Sequence, residues 1–182
     1  MFNEDSRVKI PAILHLCRLG YTYIPKSKQD RLEENNIFPD IFKRSISRIN
    51  PQISEEEIQR LLTDVSLKLN YDDLGREFFR SLVNSSGTKL IDFENFNNNE
   101  FHVTTELTCK KGDEEFRPDI TVLINGMPLV FIEVKKPNNR EGVIAERNRI
   151  NKRFALKDFR AFTNVTQLML FSNNMEYEDG VI

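Results

Sequence analysis

The chain has 182 residues, enough for one domain with a sizeable core, and its 39% hydrophobic content with fourteen Phe points to a folded globular protein. A net charge of −2 gives no overall pull toward nucleic acid, so any such contact has to be local. No stretch approaches the roughly 18 apolar residues of a membrane span, and Met1–Ser6 lacks the basic and apolar regions of a signal peptide; the expectation is a soluble, cytoplasmic protein.

Ser6 is placed to cap a first helix, with Pro11 near its start and Gly20 as its stop. Tyr21–Ile24 reads as a short extended segment ended by Pro25. The spacing of Phe38, Ile41, Phe42, Ile46 and Ile49 predicts a helix over Phe38–Ile49, closed by Pro51. Ser54 with Glu57 is a capping box for a second helix, whose stripe is Ile58, Leu61, Leu62, Val65 and Leu69. Leu74–Val83 is a third, with Phe78, Phe79 and Leu82 facing inward. Residues 26–84 thus read as a helical insertion.

Asn84–Gly87 and Asn95–Asn99 are turn chemistry around a short strand at Lys89–Phe93. A stronger strand runs Phe101–Cys109 by alternation, followed by a charged turn around Gly112. Two apolar runs, Ile120–Ile124 and Leu129–Val134, flank Asn125-Gly126 as a hairpin. Glu141–Phe159 reads as a helix, with Val143, Ile144, Arg147, Ile150, Phe154 and Phe159 available for one face, and Asn164–Ser172 as a last strand. Three strands, a helix and a strand make an α/β (or α+β) pattern with a mixed central sheet flanked by helices. Residues 85–182 hold that sheet and a basic helix within a single domain, 1–182, and from the ending at Val181-Ile182, without a helix stop or polar tail, the expectation is a fragment of a larger subunit.

Cys17 and Cys109 have no partner at zinc-ligand spacing, nor do His15 and His102, so the cysteines read as packing residues and His15 as a packed or surface side chain.

Three charged residues interrupt the apolar hairpin: Asp119, Glu133 and Lys135. Glu133 and Lys135, at i and i+2, share one face. Asp119 joins them only under a condition on the turn. A two-residue loop at Asn125-Gly126 pairs 124 with 127 and sends Asp119 to the opposite face; a three-residue loop, or a β-bulge, brings all three together. In that second geometry two carboxylates a few ångströms apart suit a hard cation such as Mg²⁺, with the Val134 carbonyl as a further ligand and Lys135 beside the developing charge. The alternative is a surface hairpin whose three charges pair with one another. A carboxylate that ends an otherwise apolar strand favours a cleft.

These residues also carry a resemblance. Pro118-Asp119 followed by Glu133-x-Lys135 matches the P-D…(D/E)-x-K nuclease pattern. The stretch from Arg117 to Pro137, with Phe101–Thr108 upstream and Thr166–Asn173 downstream, resembles the N-terminal nuclease domain of the restriction (R) subunit of type I restriction–modification enzymes. Asp5–Leu16 and Leu19–Tyr21 are similar to that family's first helix. The resemblance implies a restriction-endonuclease-like fold, with Asp119 and Glu133 as metal-binding acids and Lys135 as the catalytic lysine of double-stranded DNA cleavage, that is, a type I site-specific deoxyribonuclease. It also implies motor domains in the same full-length chain, methyltransferase and specificity subunits as partners, and ATP and S-adenosylmethionine as cofactors of the assembled enzyme; no phosphate-binding loop is present here. Where relatives carry Gln-x-x-x-Tyr after the lysine, this chain has Asn148–Phe154 with arginines and a Phe. Asp5, Glu4 and Glu106 are weaker candidates for a further acid.

From Lys135 to Arg160 nine basic residues face three acids. Lys136, Arg147, Arg149, Lys152 and Arg153 are the candidate contacts to a DNA backbone, against the plainer reading of a solvated helix face. The net-acidic stretch from Asp92 to Asp119 is expected to avoid DNA. Two other readings remain: a non-cleaving DNA-binding or docking module of the same fold, and a stand-alone nuclease.

Overall fold

Alternating apolar residues build a five-stranded sheet, and the strand order decides what stands beside Asp119. The computed structural model describes residues 8–84, 86–111, 114–136 and 140–173. Strands β1 (Thr22–Ile24), β2 (Phe101–Thr105), β5 (Ile120–Ile124), β6 (Met127–Val134) and β7 (Leu168–Ser172) lie in the order β1-β2-β5-β6-β7. The outer pairs, β1/β2 and β6/β7, are parallel and the inner pairs antiparallel, so the sheet is mixed. Strands β3 (Cys109–Lys111) and β4 (Glu114–Phe116) form a separate antiparallel hairpin.

Helix α1 (Ile10–Arg18) starts on a proline and stops before Gly20, whose φ of +101° glycine takes without strain. Its residues Ala12, Ile13 and Leu16 pack with Val103, Ile120, Ile132 and Val134 on one face of the sheet. Helices α2 (Pro39–Ile49), α3 (Glu55–Lys68) and α4 (Arg76–Val83) bury Phe42, Ile46, Ile58, Leu62, Val65, Phe78 and Leu82 in a cluster that Met127 and Leu129 of β6 enter. Both halves of the Ser54/Glu57 capping box are present, so the first turn of α3 has its orphan N–H groups satisfied. On the opposite sheet face Phe131, Met169 and Phe171 meet Ile150 of α5 (Arg140–Phe154) and Phe159, Phe162 next to and in α6 (Arg160–Val165). No described helix is long and apolar enough to cross a membrane.

Several expectations are corrected. Phe79 is 51% exposed, because adjacent helical residues point about 100° apart and Phe78 takes the core position. Lys89–Phe93 is not a strand: its backbone N–H and C=O groups at Lys89 and Asp92 are bonded to the side chains of Asn50 and Asn99. The strand Phe101–Cys109 breaks after Thr105, where Glu106 takes a left-handed φ of +52° and Cys109 opens β3. The helix expected over Glu141–Phe159 ends at Phe154; a 3₁₀ turn (Lys157–Phe159) and α6 follow, and Asn164 belongs to α6 rather than to the last strand. The Asn164 amide donates to the carbonyls of Leu69 and Tyr71, which ties α6 to the end of α3. Ile144, expected on the buried face of α5, is 51% exposed. Glu4, Asp5, Ser6, Gly112 and Pro137 lie outside the described residues.

Candidate functional site

The site begins at the hairpin turn. Asn125 (φ +52°) and Gly126 (φ +79°) form a two-residue turn with both central residues left-handed, the geometry that suits the right-handed twist of the strands. Ile124 pairs with Met127 and Leu123 with Pro128, but Val122 then pairs with Val130, leaving Leu129 as an extra residue in β6. That bulge shifts the register so that Ile120 faces Ile132, and Asp119, next along, comes level with Glu133. The turn is the short one, and the bulge supplies the condition that brings the acids together.

Asp119 Oδ2 accepts the backbone N–H of Val134 at 2.9 Å, so its carboxylate sits against the segment between Glu133 and Lys135. Lys135 Nζ donates to Glu133 Oε1 at 2.8 Å and lies 3.6 Å from Glu146 Oε2 on α5. All four side chains are largely shielded: 12% exposed for Glu133, 18% for Lys135, 20% for Asp119 and 4% for Glu146. Burial pushes the Glu133 carboxyl up to about 7; the Lys135 hydrogen bond opposes this, and the charges of Asp119 and Glu146 add to it. Burial pulls Lys135 down, yet its bond to Glu133 and the charges of Glu133, Glu146 and Asp119 outweigh that, leaving its pKa above the ordinary value. The ammonium stays charged among three carboxylates.

A second cation flanks the acids. Lys9, just before α1, places Nζ 3.7 Å from Asp119 Oδ1 and 3.2 Å from Glu106 Oε1. Lys26 reaches the other oxygen of Glu106 at 3.1 Å. Hydrogen bonds from Lys26 and Lys9 hold the Glu106 carboxyl below its ordinary range. Glu106 is thus occupied by two lysines. Among the described residues, no group of three or more His, Cys, Asp or Glu is arranged to hold a metal ion.

The basic candidates separate. Lys136 and Lys152 are exposed, and Arg149 is 60% exposed while paired with Glu146. Arg147 is half-buried, with Nε and Nη1 lacking hydrogen-bond partners. Arg153 is half-buried with its guanidinium 4.3 Å from the centre of the Phe116 ring, a cation–π contact. Three of the five therefore face solvent.

Burial pushes the Cys109 thiol up to about 12, in keeping with a packing residue. His15 is exposed, and burial lowers His102. The sequence reading missed Glu146 and Lys9. A signal for Glu146 existed: it lies three residues after Val143 and four before Ile150, so it occupies a position in the apolar stripe of α5. Nothing local in the sequence ties Lys9 to an aspartate more than a hundred residues away.

The description "Type I restriction enzyme R protein N terminus" belongs to a family whose sequence profile matches residues 1–178. The chain is similar to the putative type I restriction enzyme MjaIXP endonuclease subunit of Methanocaldococcus jannaschii, 28% identical over 98% of this chain and 19% of that protein. It is 30% identical to the type I restriction enzyme SauMSSORF170P endonuclease subunit of Staphylococcus aureus, over 85% of this chain and 15% of that protein. Similarity to the HindI endonuclease subunit of Haemophilus influenzae is 22% over 80% of this chain and 15% of that one. The chain spans less than a fifth of the length of each.

Proposed function

Because the chain belongs to the family of type I restriction enzyme R proteins, corresponding to their N-terminal part, we propose that it is the Mg²⁺-dependent DNA endonuclease portion of such a subunit, a type I site-specific deoxyribonuclease. The observation that carries this reading is the bulged register that sets Asp119 against the Val134 backbone, level with Glu133.

The residues present fit a hard divalent cation. Glu133 is held up to about 7, by burial first and by the charges of Asp119 and Glu146 after it, both of which oppose its ionisation and both of which a bound divalent cation would offset. In a strand the N–H and C=O of one residue point to the same side, so the Val134 carbonyl leaves β6 toward Asp119, whose side chain its N–H already meets. Two carboxylates and one carbonyl with the remaining positions left to water suit Mg²⁺, which keeps several waters. Asp119, Glu133 and the Val134 carbonyl would hold the ion, which would supply Lewis-acid polarisation of the scissile phosphate and a lower pKa for the attacking water.

The chain's own residues do the rest. Asp119 and Glu133 bind the cation. Lys135, charged and fixed between Glu133 and Glu146, presents an ammonium to the attacking water and to the charge that grows on the phosphate oxygens. Exposed Lys136, Arg149 and Lys152 meet the DNA backbone, and half-buried Arg147, whose Nε and Nη1 are closed off from solvent, adds positive charge beside them. Arg153 supports this surface through Phe116. The partners in this reading are double-stranded DNA, motor domains elsewhere in the full-length chain, and methyltransferase and specificity subunits; ATP and S-adenosylmethionine serve the assembled cytoplasmic enzyme.

Titration calorimetry with Mg²⁺ or Mn²⁺ tests the centre. Saturable binding in the wild type and its loss in Asp119→Ala are expected; equal binding by both would sink the assignment.

A further inference from the structure

The proposed cleavage gives Lys135 a task and leaves Lys9 without one, yet Lys9 is the more enclosed of the two, its side chain 11% exposed against 18%. The residue before it, Val8, is buried and packs with Ile120 and Val134, which directly follow Asp119 and Glu133 in the chain. That anchor sets the Lys9 ammonium 3.7 Å from Asp119 Oδ1 and 3.2 Å from Glu106 Oε1. Glu106 is itself fixed from two further sides. Its backbone N–H donates to the Asp119 carbonyl at 3.4 Å, and Lys26 holds its second carboxylate oxygen. The left-handed φ of +52° at Glu106, unfavourable for a residue with a Cβ, accompanies this placement.

These contacts occupy most of what the acids offer. Asp119 gives Oδ2 to the Val134 N–H and faces Lys9 with Oδ1, and Glu133 gives Oε1 to Lys135. The further described acids of the site are paired as well, Glu106 with Lys9 and Lys26, and Glu146 with Lys135 and Arg149. Centres that hold two divalent cations keep them about 3.5–4 Å apart, which requires carboxylate oxygens open on both sides. On the Glu106 side of Asp119 an ammonium already stands at such a distance, held there by Glu106 and by the packing of Val8.

We infer that Lys9 takes the place of a second metal ion, so that the centre accepts a single divalent cation, whose affinity Lys9 lowers by repulsion. This rests on the metal-centre reading of Asp119 and Glu133. Acting through Asp119, Lys9 is a positioning residue: it supplies a fixed positive charge where a two-ion centre would need a second cation.

Calorimetric titration of Mn²⁺ and of Mg²⁺ into the protein and its variants tests this. One ion per chain is expected in the wild type, and none in Asp119→Ala. Lys9→Met keeps the apolar stem and removes the charge. The ion should then bind about tenfold tighter or more, the effect of lifting the repulsion between a single and a double charge roughly 6 Å apart even at the dielectric constant of water. Lys9→Arg keeps the charge and should bind the ion as the wild type does. A lysine that served only to pack α1 would show the opposite sign, since its loss would loosen Asp119 and weaken the ion. Urea midpoints measured in EDTA confirm folding; should Lys9→Met not fold, Lys9→Gln, which can still hydrogen-bond Glu106, makes the same measurement. Two ions per wild-type chain, both lost in Asp119→Ala, overturn the inference, as does unchanged or weaker binding on removal of the Lys9 charge. The metal-centre reading falls if Asp119→Ala binds the ion as the wild type does. The inference alone falls if Asp119→Ala loses the ion while Lys9→Met binds it no more tightly.

Discussion

Asp119 and Val134, 15 residues apart in the chain, are joined at the open end of the hairpin by a 2.9 Å bond from backbone N–H to carboxylate. The bond fixes where the Asp119 carboxylate points before any cation arrives. A preset donor geometry of this kind means that changes to the chemistry need not disturb the fold.

Lys135→Ala provides the sharpest separation. In the full-length restriction subunit assembled with its partners, DNA cleavage should fall by about 10²–10³-fold, the usual loss when one stabiliser of transition-state charge is removed. ATP hydrolysis should continue at the wild-type rate. Loss of both activities in the same preparation would make Lys135 a structural residue.

Glu146 lies 3.6 Å from the Lys135 ammonium, and under the proposed function it positions that lysine. Glu146→Gln should lower kcat for cleavage, leave KM for DNA within about twofold, and leave calorimetric Mg²⁺ binding intact. Weakened metal binding in this variant would instead place Glu146 among the ligands.

The turn is the most exacting part of the fold. Asn125 is fully buried; its amide donates to Leu90 O and Asn99 Oδ1, and its Oδ1 accepts from the Glu100 N–H. Asn125→Ala removes three hydrogen bonds and leaves Leu90 O and the Glu100 N–H without these partners, which should cost about 3 kcal/mol in urea unfolding. Gly126→Ala should cost a similar amount, about 2–4 kcal/mol, since a Cβ would meet Phe38 O and Phe42 N at 2.7 Å, at a φ of +79°.

Glu100 links the sheet to α2 through Arg44 and Arg48, at 2.6 and 2.8 Å. The Arg44 hydrogen bond, outweighing burial, holds the Glu100 carboxyl below its ordinary range, and the charges of Arg44 and Arg48 add to this. A depressed acid stabilises the fold above its unfolded pKa, and that contribution disappears as pH falls through the lower folded value. Melting temperatures measured from neutral to acid pH should therefore fall less steeply for Glu100→Gln than for the wild type. Parallel curves would show that the pair contributes nothing.

Much of this was legible in the sequence because the signals are local. The Ser54/Glu57 box, the prolines at helix starts and Asn125-Gly126 each depend on residues a few positions apart. The mixed sheet and the union of Asp119, Glu133 and Lys135 followed from strand alternation with one stated condition on register. What escaped depends on distant partners. Lys9 meets Asp119 only because α1 packs across the sheet, and α6 is held by Asn164 reaching the end of α3. Phe101–Cys109 kept its alternation on paper while Glu106 turned the backbone aside to meet Lys9 and Lys26.

The extra residue at Leu129 has a consequence for comparing sequences. Asp119 and Glu133 are separated by an even number of positions, and a plain two-residue hairpin aligns residues separated by an odd number. Parity alone therefore reports whether such a hairpin carries a bulge. Deleting Leu129 would make that separation odd, the parity a plain hairpin aligns, so the acids would stay level once the bulge closed; deleting a residue between Leu129 and Glu133 with the bulge kept would instead turn them to opposite faces without touching either of them.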